Sequence, residues 1–151
     1  MVATGLVETL RRDYPSLTFR ASKEFLWIPQ ENIVEYSPSG DAAYLLHEIG
    51  HALLGHDSYA QDIELLSIER AAWTYATNHL ARTYTVTISP DLVEESLDTY
   101  REWLHARSTC PHCNLNGIQS GPRLYRCVSC NATWSVNEAR GCRLRRYAHK
   151  Q

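Results

Sequence analysis

An α+β fold with a small metal-stapled appendage is what this sequence predicts, on three observations. Apolar residues recur at helical spacing in several stretches; residues 17–36 form instead a set of short β-branched and aromatic runs; and four of the five cysteines fall as two C-x-x-C pairs late in the chain. At 151 residues the chain is one domain, or one domain with a small addition, and 44% apolar with 21% charged residues is ordinary globular usage, which excludes disorder and coiled coil. The formal charge of -2 conceals an asymmetry: up to His105 there are 7 basic against 16 acidic residues (net -9), and beyond it 8 against 1 (net +7). Two units with different partners are expected, 1–106 and 107–151.

Val2, Leu6, Val7 and Leu10 predict a short helix over 2–12, ended before Pro15. LTFRAS, FLWIP and NIVEY then read as two or three antiparallel strands between Leu17 and Tyr36. Ser39 or Asp41 caps a helix through Leu54 that Gly55 stops. A second helix is expected over 61–82, with Leu65, Ile68, Ala72, Tyr75, Ala76 and His79 on one stripe, followed by a brief β-like stretch over 84–88. Pro90 opens a third helix that Leu92, Val93, Leu97, Tyr100, Trp103 and Leu104 carry toward His105.

The capped helix contains His47-Glu48-Ile49-Gly50-His51, an HExxH motif. At about 100° per residue the two histidines stand within roughly 40° of each other while Leu46, Ile49 and Leu53 gather on the far side, so one face packs and the other presents two imidazoles to a metal. Glu48, about 100° round from His47, is placed to act as a base on metal-bound water. A catalytic zinc site takes three protein ligands and an open fourth position, so one more ligand is needed. Glu69 ranks first, because it sits on the edge of the apolar stripe, where an ionised carboxylate requires a partner. His56, Asp57, Glu64 and His79 are the alternatives; His56 reaches the metal only if Gly55 breaks the helix sharply, and His79 reads better as a core histidine. Tyr59, Tyr75 and Tyr84 are the phenols near enough in sequence to stabilise an oxyanion.

AAYLLHEIGHALLGH followed by IERAAWTYATNHL resembles the ImmA/IrrE family of metallopeptidases, over roughly Leu17 to Leu80. The resemblance implies a zincin-like helix beside a short sheet, His47, His51 and Glu69 as zinc ligands, Glu48 as general base, and a protein substrate such as a helix-turn-helix repressor. The chain departs from that family in lacking a helix-turn-helix of its own and in carrying the cysteine-rich tail.

Cys110-Pro-His-Cys113 and Cys127-Val-Ser-Cys130 give the spacing of a zinc ribbon, each pair followed by an asparagine that tolerates a left-handed turn. Four thiolates close the coordination sphere, so this second zinc is expected to be structural, and Cys142 is left as a free thiol. Arg107, Arg123, Arg126, Arg140, Arg143, Arg145, Arg146 and Lys150, with Tyr125, Trp134 and Tyr147 among them, suit a nucleic acid, an acidic protein or a structural cover on the peptidase unit. An HExxH followed by such a ribbon is also the order of SprT-like proteases, which act on DNA-bound proteins but use a histidine as third ligand; none occurs between 57 and 78. A non-enzymatic zinc-binding module is the remaining alternative. No apolar run is long enough to span a bilayer or to act as a signal segment, and C-x-x-C pairs without one point to a reducing cytoplasm.

Overall fold

The computed structural model of the chain describes residues 1–138 and 143–150, so Cys142 and Arg140 lie outside the described residues. The fold is mixed α+β: α1 (Thr4–Asp13), β1 (Thr18–Ala21), β2 (Leu26–Ile28), β3 (Ile33–Tyr36), α2 (Ala42–Leu53), α3 (Asp62–Tyr75), a π turn (Ala76–Leu80), α4 (Ala81–Tyr84), α5 (Pro90–Ser108), β4 (Ile118–Gly121), β5 (Leu124–Arg126), β6 (Thr133–Val136) and β7 (Arg146–Ala148). The chain divides into two compact units, residues 1–58 with 67–95 and residues 59–66 with 96–151. The expected boundary between 106 and 107 lies inside α5.

In the first unit the sheet has the order β1-β3-β2. The sequence predicts two or three antiparallel strands; three form, of which β2 and β3 pair antiparallel, but β1 pairs with β3 in parallel, Thr18 opposite Ile33 and Ala21 opposite Tyr36. β2 turns straight back into β3 through Asn32, whose φ is 52°, which makes that pair antiparallel, while β1 lies on the other flank of β3 and is joined to it only through β2, the longer connection that a parallel pair needs. Against this sheet pack Leu6, Val7 and Leu10 of α1 and Leu45, Leu46 and Ile49 of α2, in a core where Val34 and Leu45 are fully buried.

α2 begins where Asp41, in extended conformation, accepts the Ala43 N–H at 2.9 Å, which settles the cap between Ser39 and Asp41. It ends in a Schellman turn: Gly55 takes φ 71° and the His56 N–H reaches back to the His51 carbonyl at 3.0 Å.

The helix expected over 61–82 is regular only to Tyr75, and a π turn then inserts one residue. The apolar stripe therefore shifts register from Ala76 onto Leu80 and Ala81, both buried, and turns His79 out to solvent, so His79 is not a core histidine. The expected β-stretch over 84–88 is absent: Tyr84 ends α4, Thr85 takes φ 55°, and the Val86 N–H bonds the Ala81 carbonyl at 2.9 Å, a helix stop in place of a strand.

In the second unit β4-β5-β6-β7 form an antiparallel sheet. Tyr125 and Trp134 stack at 5.7 Å on its inner side beside Cys110, Cys127 and Val136. Arg107, expected on the basic surface, is an interior residue only 2% exposed. Its guanidinium donates to Asp62 Oδ2 at 2.8 Å and to the Asn137 carbonyl and lies over the Trp103 ring at 4.5 Å, while the Tyr125 hydroxyl donates to the same Asp62 oxygen at 2.5 Å. A buried arginine with this many acceptors is fully compensated.

Candidate metal centres

His47 and His51 leave the buried face of α2 one turn apart, and α3 brings Glu69 against them. The approach depends on Gly50. A Cβ there would stand 2.7 Å from the Ala72 carbonyl oxygen, so only glycine lets α3 come this close, one turn beyond Glu69. His47 Nε2 lies 2.8 Å from Glu69 Oε2 and 3.1 Å from His51 Nε2, and His51 Nε2 lies 3.2 Å from Glu69 Oε1. All three side chains are buried, and their donor atoms lie within 4.8 Å of one another. Nitrogen and oxygen ligands at about 2.0–2.1 Å around a tetrahedral ion stand about 3.3 Å apart, so the convergence fits a small divalent ion. Burial raises the Glu69 carboxyl, but hydrogen bonds and charge from His47 and His51 outweigh it and hold the group down at about 2.

Glu48 stands beside this cluster. The backbone N–H of Trp27 in β2 donates to Glu48 Oε2 at 2.8 Å, and Oε1 lies 4.0 Å from His47 Nε2. Burial raises the Glu48 carboxyl above its ordinary range, partly opposed by the two histidines and by the Trp27 N–H.

The other candidate ligands are elsewhere. His56 meets the opposite nitrogen of His51, Nδ1 to Nδ1 at 2.9 Å; Glu64 accepts the Ala60 N–H at 2.9 Å; Asp57 and His79 are exposed. Among the phenols, Tyr84 donates its proton to Asp13 at 2.9 Å and Tyr75 packs on the His79 ring. Two tryptophans that no sequence motif marks complete the site. Trp27 binds Glu48 through its backbone and the His56 carbonyl through its indole at 2.8 Å, and Trp73, 1% exposed, stacks on His47 at 4.1 Å. An aromatic residue in β2 or α3 announces packing, and only the fold shows what it packs against.

The second cluster is built from turns. Cys110 and Cys127 each donate their N–H to a carbonyl five residues on (Leu115, Ala132) and accept at their carbonyl from Asn114 and Asn131. Those asparagines have φ of 65° and 61°, the left-handed turn the sequence predicts. Cys110 Sγ lies 3.7 Å from Cys130 Sγ and Cys113 Sγ 3.4 Å from Cys127 Sγ. Thiolates at about 2.3 Å around a tetrahedral ion stand about 3.8 Å apart, so this set also fits a metal. The Cys130 N–H, against the effect of burial and with help from the Ser129 N–H, holds the Cys127 thiol down at about 6. Of the aromatics among the basic residues, Tyr125 and Trp134 are in the core and Tyr147 is 49% exposed. Arg123, Arg126, Arg143 and Arg145 are exposed.

Among the described residues no helix is long and apolar enough to cross a membrane. Comparison of the chain with protein-family models, with curated proteins and with solved structures finds no match.

Proposed function

We propose that the chain is a zinc-dependent endopeptidase of the ImmA/IrrE type, with a second, structural zinc in a four-cysteine ribbon. The observation that carries this reading is the meeting of His47, His51 and Glu69 in a buried cluster with Glu48 held beside it. Two imidazoles and one carboxylate form the ligand set of a catalytic zinc and leave a coordination position open. A zinc ion held by His47, His51 and Glu69 would supply Lewis acidity toward a peptide carbonyl and toward water. The residues of the chain do the rest. Trp27 fixes one oxygen of Glu48 and leaves Oε1 to take the proton of the attacking water, and the same carboxyl returns that proton to the leaving amine. Trp73 holds the His47 ring by stacking.

The substrate on this reading is a protein, in the first instance a DNA-binding regulator such as a helix-turn-helix repressor, with the exposed arginines of the ribbon available to nucleic acid or to an acidic partner. A carboxylate as third donor weighs against a SprT-like protease, whose third ligand is histidine. The zinc-loaded full chain, incubated with a peptide library, should generate new N-termini detectable by mass spectrometry. Glu48→Gln should slow their appearance at least 100-fold, as expected for loss of a general base, and a chelator should stop it. Equal cleavage by the variant, or none by the wild type, would leave the non-enzymatic zinc-binding module as the better reading.

A further inference from the structure

One nitrogen of the His51 ring faces the donor set and the other does not. Nε2 lies 3.1 Å from His47 Nε2 and 3.2 Å from Glu69 Oε1, while Nδ1 lies 2.9 Å from Nδ1 of His56. An imidazole that offers its Nε2 lone pair to a metal carries its proton on Nδ1. With a metal on His51 Nε2, the 2.9 Å contact has His51 donating from Nδ1 and His56 accepting on Nδ1, with the His56 proton on Nε2.

His56 is held in that position from three directions. Its N–H bonds the His51 carbonyl at 3.0 Å across the Schellman turn at Gly55. The Trp27 indole donates to its carbonyl at 2.8 Å, and the two imidazoles meet edge to face with centroids 5.1 Å apart. The turn that ends the metal-binding helix thus folds the fifth residue after His51 back onto it, on the side away from the donor set. His47 lacks such a partner: its Nδ1 is buried with no hydrogen bond among the described residues, and its ring rests on Trp73.

We propose that His56 is the positioning residue of the metal centre: by accepting the His51 Nδ1 proton it fixes the tautomer and tilt that aim Nε2 at the ion. This deepens the function proposed above, resting on the reading of His47, His51 and Glu69 as a metal site, but it does not require that the site cleave peptides. Partners of this kind are usually a carboxylate or a backbone carbonyl, and removing one weakens metal binding about 10–100-fold. The imidazole is specific to this chain's turn, because Gly55 is what delivers it.

The test uses zinc alone, titrated against a chromophoric chelator, on the full chain and on two variants of nearly equal shape. Asparagine places an acceptor oxygen where His56 carries Nδ1, whereas leucine places a methyl group there. His56→Leu should weaken one of two zinc ions about 10–100-fold, and His56→Asn should restore affinity to within about threefold of wild type. With cobalt in place of zinc, the weak visible bands of the nitrogen–oxygen site should shift in His56→Leu while the thiolate charge-transfer bands stay. His56→Leu binding as tightly as wild type would overturn the proposal, as would His56→Asn binding as weakly as His56→Leu. A wild-type chain that binds one zinc ion, held by the cysteines, would remove the metal centre itself and the proposal with it. Two ions and an indifferent His56→Leu would remove the proposal alone.

Discussion

The histidine–glutamate cluster is carried on two helices inside a unit with an aliphatic core of its own, whereas the cysteine cluster is carried on two turns and is itself a large part of the core around it. Leu10, Val34, Leu45, Leu46 and Ile49 bury fully whatever His47, His51 and Glu69 hold. In the second unit the buried set is Cys110, Cys127, Tyr125, Ala132, Trp134 and Val136, so two of its members belong to the four-cysteine group that could hold a metal. A metal added to a folded scaffold is available for chemistry, and one that substitutes for an apolar core is spent on folding.

The largest effect should come from breaking the second centre. Cys127→Ser should release one zinc and unfold the ribbon, a loss on the order of 10 kcal/mol by the cost of structural zinc binding, while the first unit stays folded. The Trp134 indole N–H, which donates to the Arg107 carbonyl at 2.9 Å, reports this directly by NMR. Persistence of its signal after the zinc has left would show a ribbon core that stands without metal.

A smaller effect follows from the polar interior of the ribbon unit. Arg107→Ala leaves Asp62 buried without its cation and should lower the unfolding free energy of that unit, measured by denaturant titration, by about 3–5 kcal/mol. A change under about 1 kcal/mol would mean that Tyr125 alone satisfies Asp62.

Gly50→Ala is the smallest of the three. The added methyl meets the Ala72 carbonyl, overpacking that costs about 1–3 kcal/mol and exceeds the gain of about 0.5–1 kcal/mol from a better helix former. Because the displaced helix carries Glu69, affinity should fall for one zinc and hold for the other in the same chelator competition, and a stabilised variant with unchanged zinc affinity would contradict the close approach.

How much of this was legible in the sequence divides along the same line. The pairing of His47 with His51 follows from helical spacing, Glu69 from its place on the edge of an apolar stripe, and the two knuckles, down to their left-handed asparagines, from local turn chemistry. The parallel pairing of β1 with β3 was not legible, because short β-branched runs specify strands without specifying neighbours. Nor was the π turn at Ala76–Leu80, which has no compositional mark and whose inserted residue moved His79 to the surface. Arg107 reads in sequence as one more surface cation; its burial is decided by Asp62, 45 residues earlier. The partners of Glu48 and His51, a backbone N–H of Trp27 and the ring of His56, depend likewise on how β2 and a turn meet α2.

The central claim, that His47, His51 and Glu69 hold a metal beside a base that is not a ligand, is tested most directly by metal content. Zinc per chain should be two in the wild type, two in Glu48→Gln and one in Glu69→Ala, measured by mass spectrometry on the purified proteins. Two zinc ions retained by Glu69→Ala, or one lost from Glu48→Gln, would contradict it.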